Sequence, residues 1–198
     1  MNRIGCTLLS LLVVALVLGV GTAAAQDDFD FQEGYFANAN APGAPSAQLR
    51  LTNDGAYSAA NLCANIYVFD SAEEMQECCS CEITANGYLD LSINSNLLGN
   101  ILNHGTVPTR GFIQETTSTV PPGGCNPVAY IPFEGIRGWL THVQKGATAG
   151  TFSLTETPLA ETKYESGEEV SVDLQQTCSF VKSLGTGTGV CSCADAGD

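Results

Sequence analysis

The sequence predicts a mainly β protein: a β-sandwich-like core with one C-terminal α-helix, stapled by disulfides. Three observations carry that expectation. From Gln48 onward, apolar residues alternate with period two in short runs separated by Pro and Gly clusters such as Pro121-Pro122-Gly123-Gly124. One segment, Ser166 to Leu184, switches to spacings of three and four. Cysteines cluster as Cys78-Cys79-Ser80-Cys81 and again as Cys191-Ser192-Cys193, behind a leader of the export type.

The leader comes first along the chain. Asn2-Arg3 precedes an apolar run from Leu8 to Val20, which passes into Ala23-Ala24-Ala25-Gln26. A basic start, an apolar stretch too short to span a bilayer comfortably and an Ala-x-Ala end describe a signal peptide over residues 1–25, cut near Ala25. Of the 198 residues and nine cysteines, 173 and eight then remain, because Cys6 leaves with the leader. An even cysteine count in an exported chain favours disulfides. A chain of this length buries roughly 70% of its unfolded surface, so cross-links reinforce a core instead of replacing one.

Arg3 also leaves, so six basic residues (Arg50, Arg110, Arg137, Lys145, Lys163, Lys182) face 21 acidic ones and the net charge moves from −14 to −15. That field opposes nucleic acid and anionic membranes as partners. No second long apolar stretch follows, so no membrane span is expected.

Residues 26–47 read as an N-terminal extension and linker. Asp28-Phe29-Asp30-Phe31 alternates acid and aromatic, and Ala37 to Ala47 is built of small residues with Pro42, Gly43 and Pro45. Phe29 and Phe31 have the pattern of an assembly strand that enters another subunit's sheet; the plainer alternative is a tail or a first strand of the protein's own sheet. Residues 48–198 then form a single β-rich domain.

Gln48 to Asn53 places Leu49 and Leu51 on one face and Arg50 and Thr52 on the other, a half-buried strand ended by Asn53-Asp54-Gly55. Leu62 to Phe69 is apolar on both faces and reads as a central strand covered on both sides. Glu77 to Glu82 leads through Ala85-Asn86-Gly87 into Tyr88 to Ile93 and reads as a hairpin. A three-residue loop pairs Ile83 with Leu89, Cys81 with Leu91 and Cys79 with Ile93, making one face wholly apolar, and sets Glu82 opposite Asp90. Further strands are expected at 111–117, 128–133, 139–144 and 150–156. The helix is expected over 167–184: Val170, Leu174, Thr177, Cys178, Val181 and Leu184 share a face, Glu168 and Glu169 suit its positive end, and Gly185 suits a left-handed cap. It turns Cys178 toward the sheet.

In this register Cys79 and Cys81 point into the core and Cys78 points away. Residues two apart on a strand have Cα atoms about 6.5 to 7 Å apart with parallel Cβ vectors, a poor disulfide. Each therefore reaches another segment. The Gly-Thr run at 185–189 lets Cys191 and Cys193 lie beside Cys79 and Cys81 as two parallel bridges, leaving Cys63, Cys78, Cys125 and Cys178 for two more. A metal cage is the weaker reading: Cys78 and Cys81 form one Cys-x-x-Cys without a second, and His104 and His142 stand in no ligand spacing. No metal ligands are predicted.

Catalytic motifs are absent. There is no Gly-x-Ser-x-Gly, His-Glu-x-x-His or phosphate-binding loop, so no catalytic residue is assigned. His142 reads as a half-exposed strand histidine and His104 as a turn residue. Asp28-Phe29-Asp30-Phe31-Gln32 and Asp90-Leu91-Ser92-Ile93-Asn94-Ser95-Asn96 begin like EF-hand loops but lack the Gly at position six and the Glu at position twelve, so no cofactor is expected and a loop-built calcium site is the alternative.

Asn61-Leu62-Cys63-Ala64-Asn65-Ile66-Tyr67-Val68-Phe69-Asp70, Glu77-Cys78-Cys79-Ser80-Cys81 and Gly189-Val190-Cys191-Ser192-Cys193 resemble the motifs of a family of uncharacterised, disulfide-rich bacterial exported proteins. The resemblance spans 60–193. It implies bacterial origin and a disulfide-rich exported domain, periplasmic or extracellular, and supplies no catalytic residues. The functional expectation is a non-enzymatic structural or binding protein of the cell surface or matrix, partnered by itself or by an extracellular glycan or protein. Its alternatives are a filament subunit joined by strand addition, a carbohydrate-binding module using Trp139, Tyr130 or Tyr88 as a stacking platform, and a polysaccharide-acting enzyme using Glu82 and Asp90.

Overall fold

The computed structural model describes residues 29–56, 59–102, 107–164, 167–184 and 187–193. The leader, Asp28 and His104 lie outside them. Among the described residues, nine strands form two antiparallel sheets packed face to face. Sheet A runs in the order β4 (Met75–Ile83), β3 (Leu62–Asp70), β6 (Arg110–Thr119), β1 (Phe29–Ala37), β9 (Ala160–Tyr164). Sheet B runs β5 (Tyr88–Ser92), β2 (Gln48–Asn53), β7 (Ile136–Lys145), β8 (Phe152–Pro158). One α-helix, α1 (Gly167–Ser183), follows.

The core fills the space between the sheets. Leu49, Leu51, Leu89 and Leu91 from sheet B meet Leu62, Ala64, Ile66, Cys79, Cys81 and Ile83 from sheet A, all buried. Each fully buried Leu or Ile contributes about 1.5 to 3 kcal/mol. A second apolar cluster lies on the other side of sheet A, where Leu174, Cys178 and Val181 of α1 pack on Tyr67, Met75 and Cys78. Around β3, sheet A is therefore covered on both faces, and β3 is buried from Leu62 to Val68, as its two-sided apolar sequence requires. The helix stripe is narrower than its sequence suggested, since Thr177 and Leu184 face outward.

Several expectations need correction. Residues 29–37 take the plainer reading, a first strand of the protein's own sheet, and not an extension: β1 sits inside sheet A, paired with β6 on one side and β9 on the other, with Phe31 and Phe36 buried. Only 38–47 connects. The hairpin of β4 and β5 does not exist either. β4 pairs with β3, setting Cys79 opposite Ile66 and Cys81 opposite Ala64, while β5 pairs with β2, setting Leu89 opposite Leu51. The chain crosses from one sheet to the other at 84–87, where the Gly87 amide donates to the Thr84 carbonyl. Both apolar stripes are satisfied, but across the core instead of side by side.

Residues 128–133 form no strand, because Pro132 has no amide to donate and Asn126 holds the Val128 amide in a turn. β9 escaped the reading because Ala160-Glu161-Thr162-Lys163-Tyr164 shows no apolar alternation, as suits an edge strand. Between β8 and β9 the chain changes sheets in one residue. Leu159 drops into the core there, its amide donating to the Gly138 carbonyl at 2.8 Å, and a Cβ on Gly138 would fall 2.5 Å from Leu159 Cδ1. Glycine is what lets the crossing strands approach.

Four disulfides tie these layers: Cys63–Cys125, Cys78–Cys178, Cys79–Cys191 and Cys81–Cys193. The first fastens the 120–133 loop onto sheet A, and the second fastens α1 to β4. The last two join the two Cys-Ser-Cys motifs in parallel and hold residues 187–193 along the outer edge of β4.

Candidate functional site

α1 and the 120–133 loop occupy part of the outer face of sheet A, and the outer face of sheet B is open. Alternation decides what it shows. Leu49 and Leu51 face inward, so Arg50 and Thr52 face outward, and the same parity brings out Tyr88 and Asp90 on β5, Arg137 and Trp139 on β7, and Glu156 on β8. Register aligns Asp90, Arg50, Trp139 and Pro158 in one row across all four strands.

Arg50 is the hub. Its Nε donates to Asp90 Oδ2 at 3.3 Å and its Nη1 donates to Glu156 Oε1 at 2.5 Å. The Asp90 hydrogen bond is the main influence holding the guanidinium above its ordinary pKa. The Tyr88 hydroxyl donates to the same Asp90 oxygen at 2.7 Å, and partial burial followed by that bond pushes the phenol up. Arg137 pairs with Asp54 at 3.5 Å at the margin. Tyr88 is 46% exposed and Trp139 half-buried, so both rings reach solvent on either side of the Arg50 pair.

The other expected residues fall elsewhere. Tyr130 is no platform: its oxygen accepts from the Tyr67 hydroxyl at 3.0 Å and from Thr116 Oγ1 at 2.9 Å, and it braces the loop over sheet A. Glu82 lies on the outer face of sheet A, accepting from Asn61 Nδ2, while Asp90 lies on the opposite side of the sandwich. They form no carboxylate pair. His142 is buried, not half-exposed: Nε2 meets Thr157 Oγ1 at 2.7 Å, Nδ1 has no partner, and the Tyr35 ring lies over it at 4.5 Å. In the calcium-like stretch after Asp90, Ser92 Oγ accepts from the Ser95 amide and Asn96 Oδ1 from the Ser92 amide, so both oxygens serve their own π-helical turn, Ile93–Leu97.

Two buried carboxylates were not foreseen. Glu115 lies between the sheets with Gln32 Nε2 at 3.4 Å and Thr117 Oγ1 at 3.3 Å, and burial raises its pKa to about 8. Glu77 is buried near the sandwich rim, accepting from the Asn100 amide at 2.7 Å with Oε2 unpartnered, and burial raises it to about 7. The available signal was an acid on the inward parity of an otherwise apolar stripe, Glu77-x-Cys79-x-Cys81-x-Ile83; Glu115 shares its parity with Ile113 and Thr117 and gave no such signal.

No family model and no curated protein matches this sequence. One similar solved structure is described as the crystal structure of Thermotoga maritima 1070, at 15% identity over 67% of this chain and 91% of that one, with a TM-score of 0.39. At that similarity it carries no argument. The described residues hold no helix long and apolar enough to cross a membrane, and four disulfides are what an oxidising compartment sustains.

Proposed function

We propose that this chain is an exported, non-enzymatic binding protein of the bacterial cell surface or extracellular matrix, and that it takes neutral polysaccharide on the outer face of sheet B. One observation carries the reading: α1 and the 120–133 loop cover much of the outer face of sheet A, whereas the outer face of sheet B is open and sets Tyr88 and Trp139 about a braced Arg50. Sugar rings offer C–H faces that stack on aromatic rings and hydroxyl rims that bond to guanidinium and carboxylate groups. Strands lie about 4.8 Å apart and residues rise about 3.4 Å, which puts Tyr88 and Trp139 roughly 12 Å apart, a span of about two pyranose rings. The acidic chain repels acidic glycans, which selects neutral ones. Asp90 and Glu156 are both committed to Arg50, which argues for binding over hydrolysis. The leader, the four bridges and the motif resemblance support export.

Sedimentation of the mature chain with insoluble glucan or chitin tests this. Wild type is expected in the pellet, and Trp139→Ala is expected to bind about tenfold more weakly, the effect of about 1.4 kcal/mol of lost stacking. Unchanged retention of the variant overturns the site, and release of soluble sugar overturns the non-enzymatic reading.

A second reading has its own observation. Among the described residues β8 pairs only with β7, and its other edge is open with Leu154 53% exposed. An open edge can join another sheet, so a matrix subunit would assemble there and not through β1, which is paired on both sides. Light scattering that finds a monomer at every concentration removes it.

A further inference from the structure

We propose that the paired Cys-Ser-Cys motifs form a redox-gated metal site: with both rungs reduced, Cys79, Cys81, Cys191 and Cys193 hold one thiophilic divalent cation of the zinc class. In the oxidised chain these sulfurs are covalent staples with no thiolate charge to offer. Their placement is nonetheless that of a ligand set. The Sγ atoms of Cys79, Cys81 and Cys193 all lie within 4.8 Å of one another; Cys191, bonded to Cys79, stands outside that group and turns inward to complete the set once its bridge opens. Four thiolates at about 2.3 Å around a tetrahedral ion stand roughly 3.8 Å apart. Reaching that arrangement needs movements of about an ångström or two.

What keeps the four thiols together after reduction is independent of sulfur. Along the tail, the Cys78 amide donates to the Gly189 carbonyl at 2.9 Å, the Gly189 amide to the Asn100 carbonyl at 2.6 Å, and the Ser192 amide to the Asn96 carbonyl at 2.9 Å. Asn100 Nδ2 donates to the carbonyls of Gly187 and Val190. These bonds fix residues 187–193 against β4, so reduction leaves the ladder in register. Cys79, Cys81 and Cys191 are buried at the rim of the core, and half-buried Cys193 is the approach for reductant and ion.

The chemistry balances through a dithiol reductant. Each rung accepts two electrons and two protons to become two thiols, as one dithiol becomes a disulfide. A divalent cation then displaces four thiol protons and forms four metal–sulfur bonds. Thiol–disulfide exchange with two molecules of a disulfide oxidant returns the four thiolates to two disulfides, the four electrons and four protons from solvent converting the oxidant to thiols as the ion leaves.

The test uses the full mature chain, reduced anaerobically with a phosphine and titrated with Cd2+, read by thiolate-to-metal charge-transfer absorbance, native mass and proton release. Wild type and Cys63→Ser/Cys125→Ser are each expected to take one ion and release four protons. Cys191→Ser/Cys193→Ser is expected to lose at least about a hundredfold in affinity. Equal uptake by that last variant with its β-sheet circular dichroism intact overturns the proposal. So does failure of reduced, folded wild type to bind an ion, or loss of the sheet signal on reduction before any ion is added, because the tail's hydrogen bonds would then not preorganise the site.

Discussion

Replacing Glu115 with Gln tests whether a protonated acid is built into the core. Glu115 lies between the sheets, and burial moves its pKa from the ordinary 4.5 to about 8. At about 1.4 kcal/mol for each tenfold change in acidity, that displacement corresponds to about 5 kcal/mol. The sign follows from which state holds the proton. Below pH 4.5 both folded and unfolded chains keep it, and the residue adds no penalty. Between 4.5 and about 8 the unfolded chain ionises while the fold holds its proton, so stability falls as pH rises; above that both are ionised and the loss is complete. Gln keeps the shape of the neutral carboxyl: its oxygen accepts from Gln32 Nε2 and its amide donates to Thr117 Oγ1, whose hydroxyl can turn to accept. Urea unfolding with disulfides intact, from pH 4 to 9, is the assay. The variant is expected to match wild type within about 1 kcal/mol at pH 4 and to exceed it by about 5 kcal/mol at pH 9. Parallel stability curves for the two proteins, or a variant weaker than wild type at pH 9, would refute the reasoning.

Glu77→Gln follows the same sign with a smaller size: its pKa of about 7 gives a gain of about 3 kcal/mol that develops between pH 4.5 and 7, measured by the same unfolding series. With Cys78–Cys178 in place, the two rungs close short loops, so Cys81→Ser/Cys193→Ser alone is expected to cost about 2 kcal/mol and removal of both rungs about 5 kcal/mol, by thermal unfolding at constant pH. Arg50→Ala breaks two half-exposed ion pairs and is expected to cost at most about 1 kcal/mol in stability. If the open face binds glycan, its loss in sedimentation binding is larger than that, whereas equal losses in both assays would make Arg50 merely structural.

Much of the inward and outward sorting was legible. Leu49 and Leu51, Cys79 and Cys81, Leu89 and Leu91 are inward because a period of two on a pleated strand leaves no other parity. The stripe from Val170 to Val181 marked the helix, and the poor geometry of a bridge between Cys79 and Cys81 directed each toward the tail motif, where the structure has them. Tyr88 and Trp139 were nameable as aromatics on strands, but Tyr130 was nameable in the same way, and only its contact with Tyr67 and Thr116 separates it from them.

The sequence by itself determined the faces of the alternating strands β2, β4 and β5, the two-sided burial of β3, the helix and the chemistry of the thiols, because these depend on spacing within a few residues. Tertiary structure decided which strands are neighbours. An apolar stripe is equally satisfied by a strand beside it or by a sheet across the core, so local alternation could not tell the hairpin of β4 and β5 from their separation into two sheets. The same choice carried Glu82 and Asp90 to opposite sides, drew β1 into sheet A, and buried Glu77 and Glu115, whose altered acidity arises from solvent that distant parts of the chain exclude.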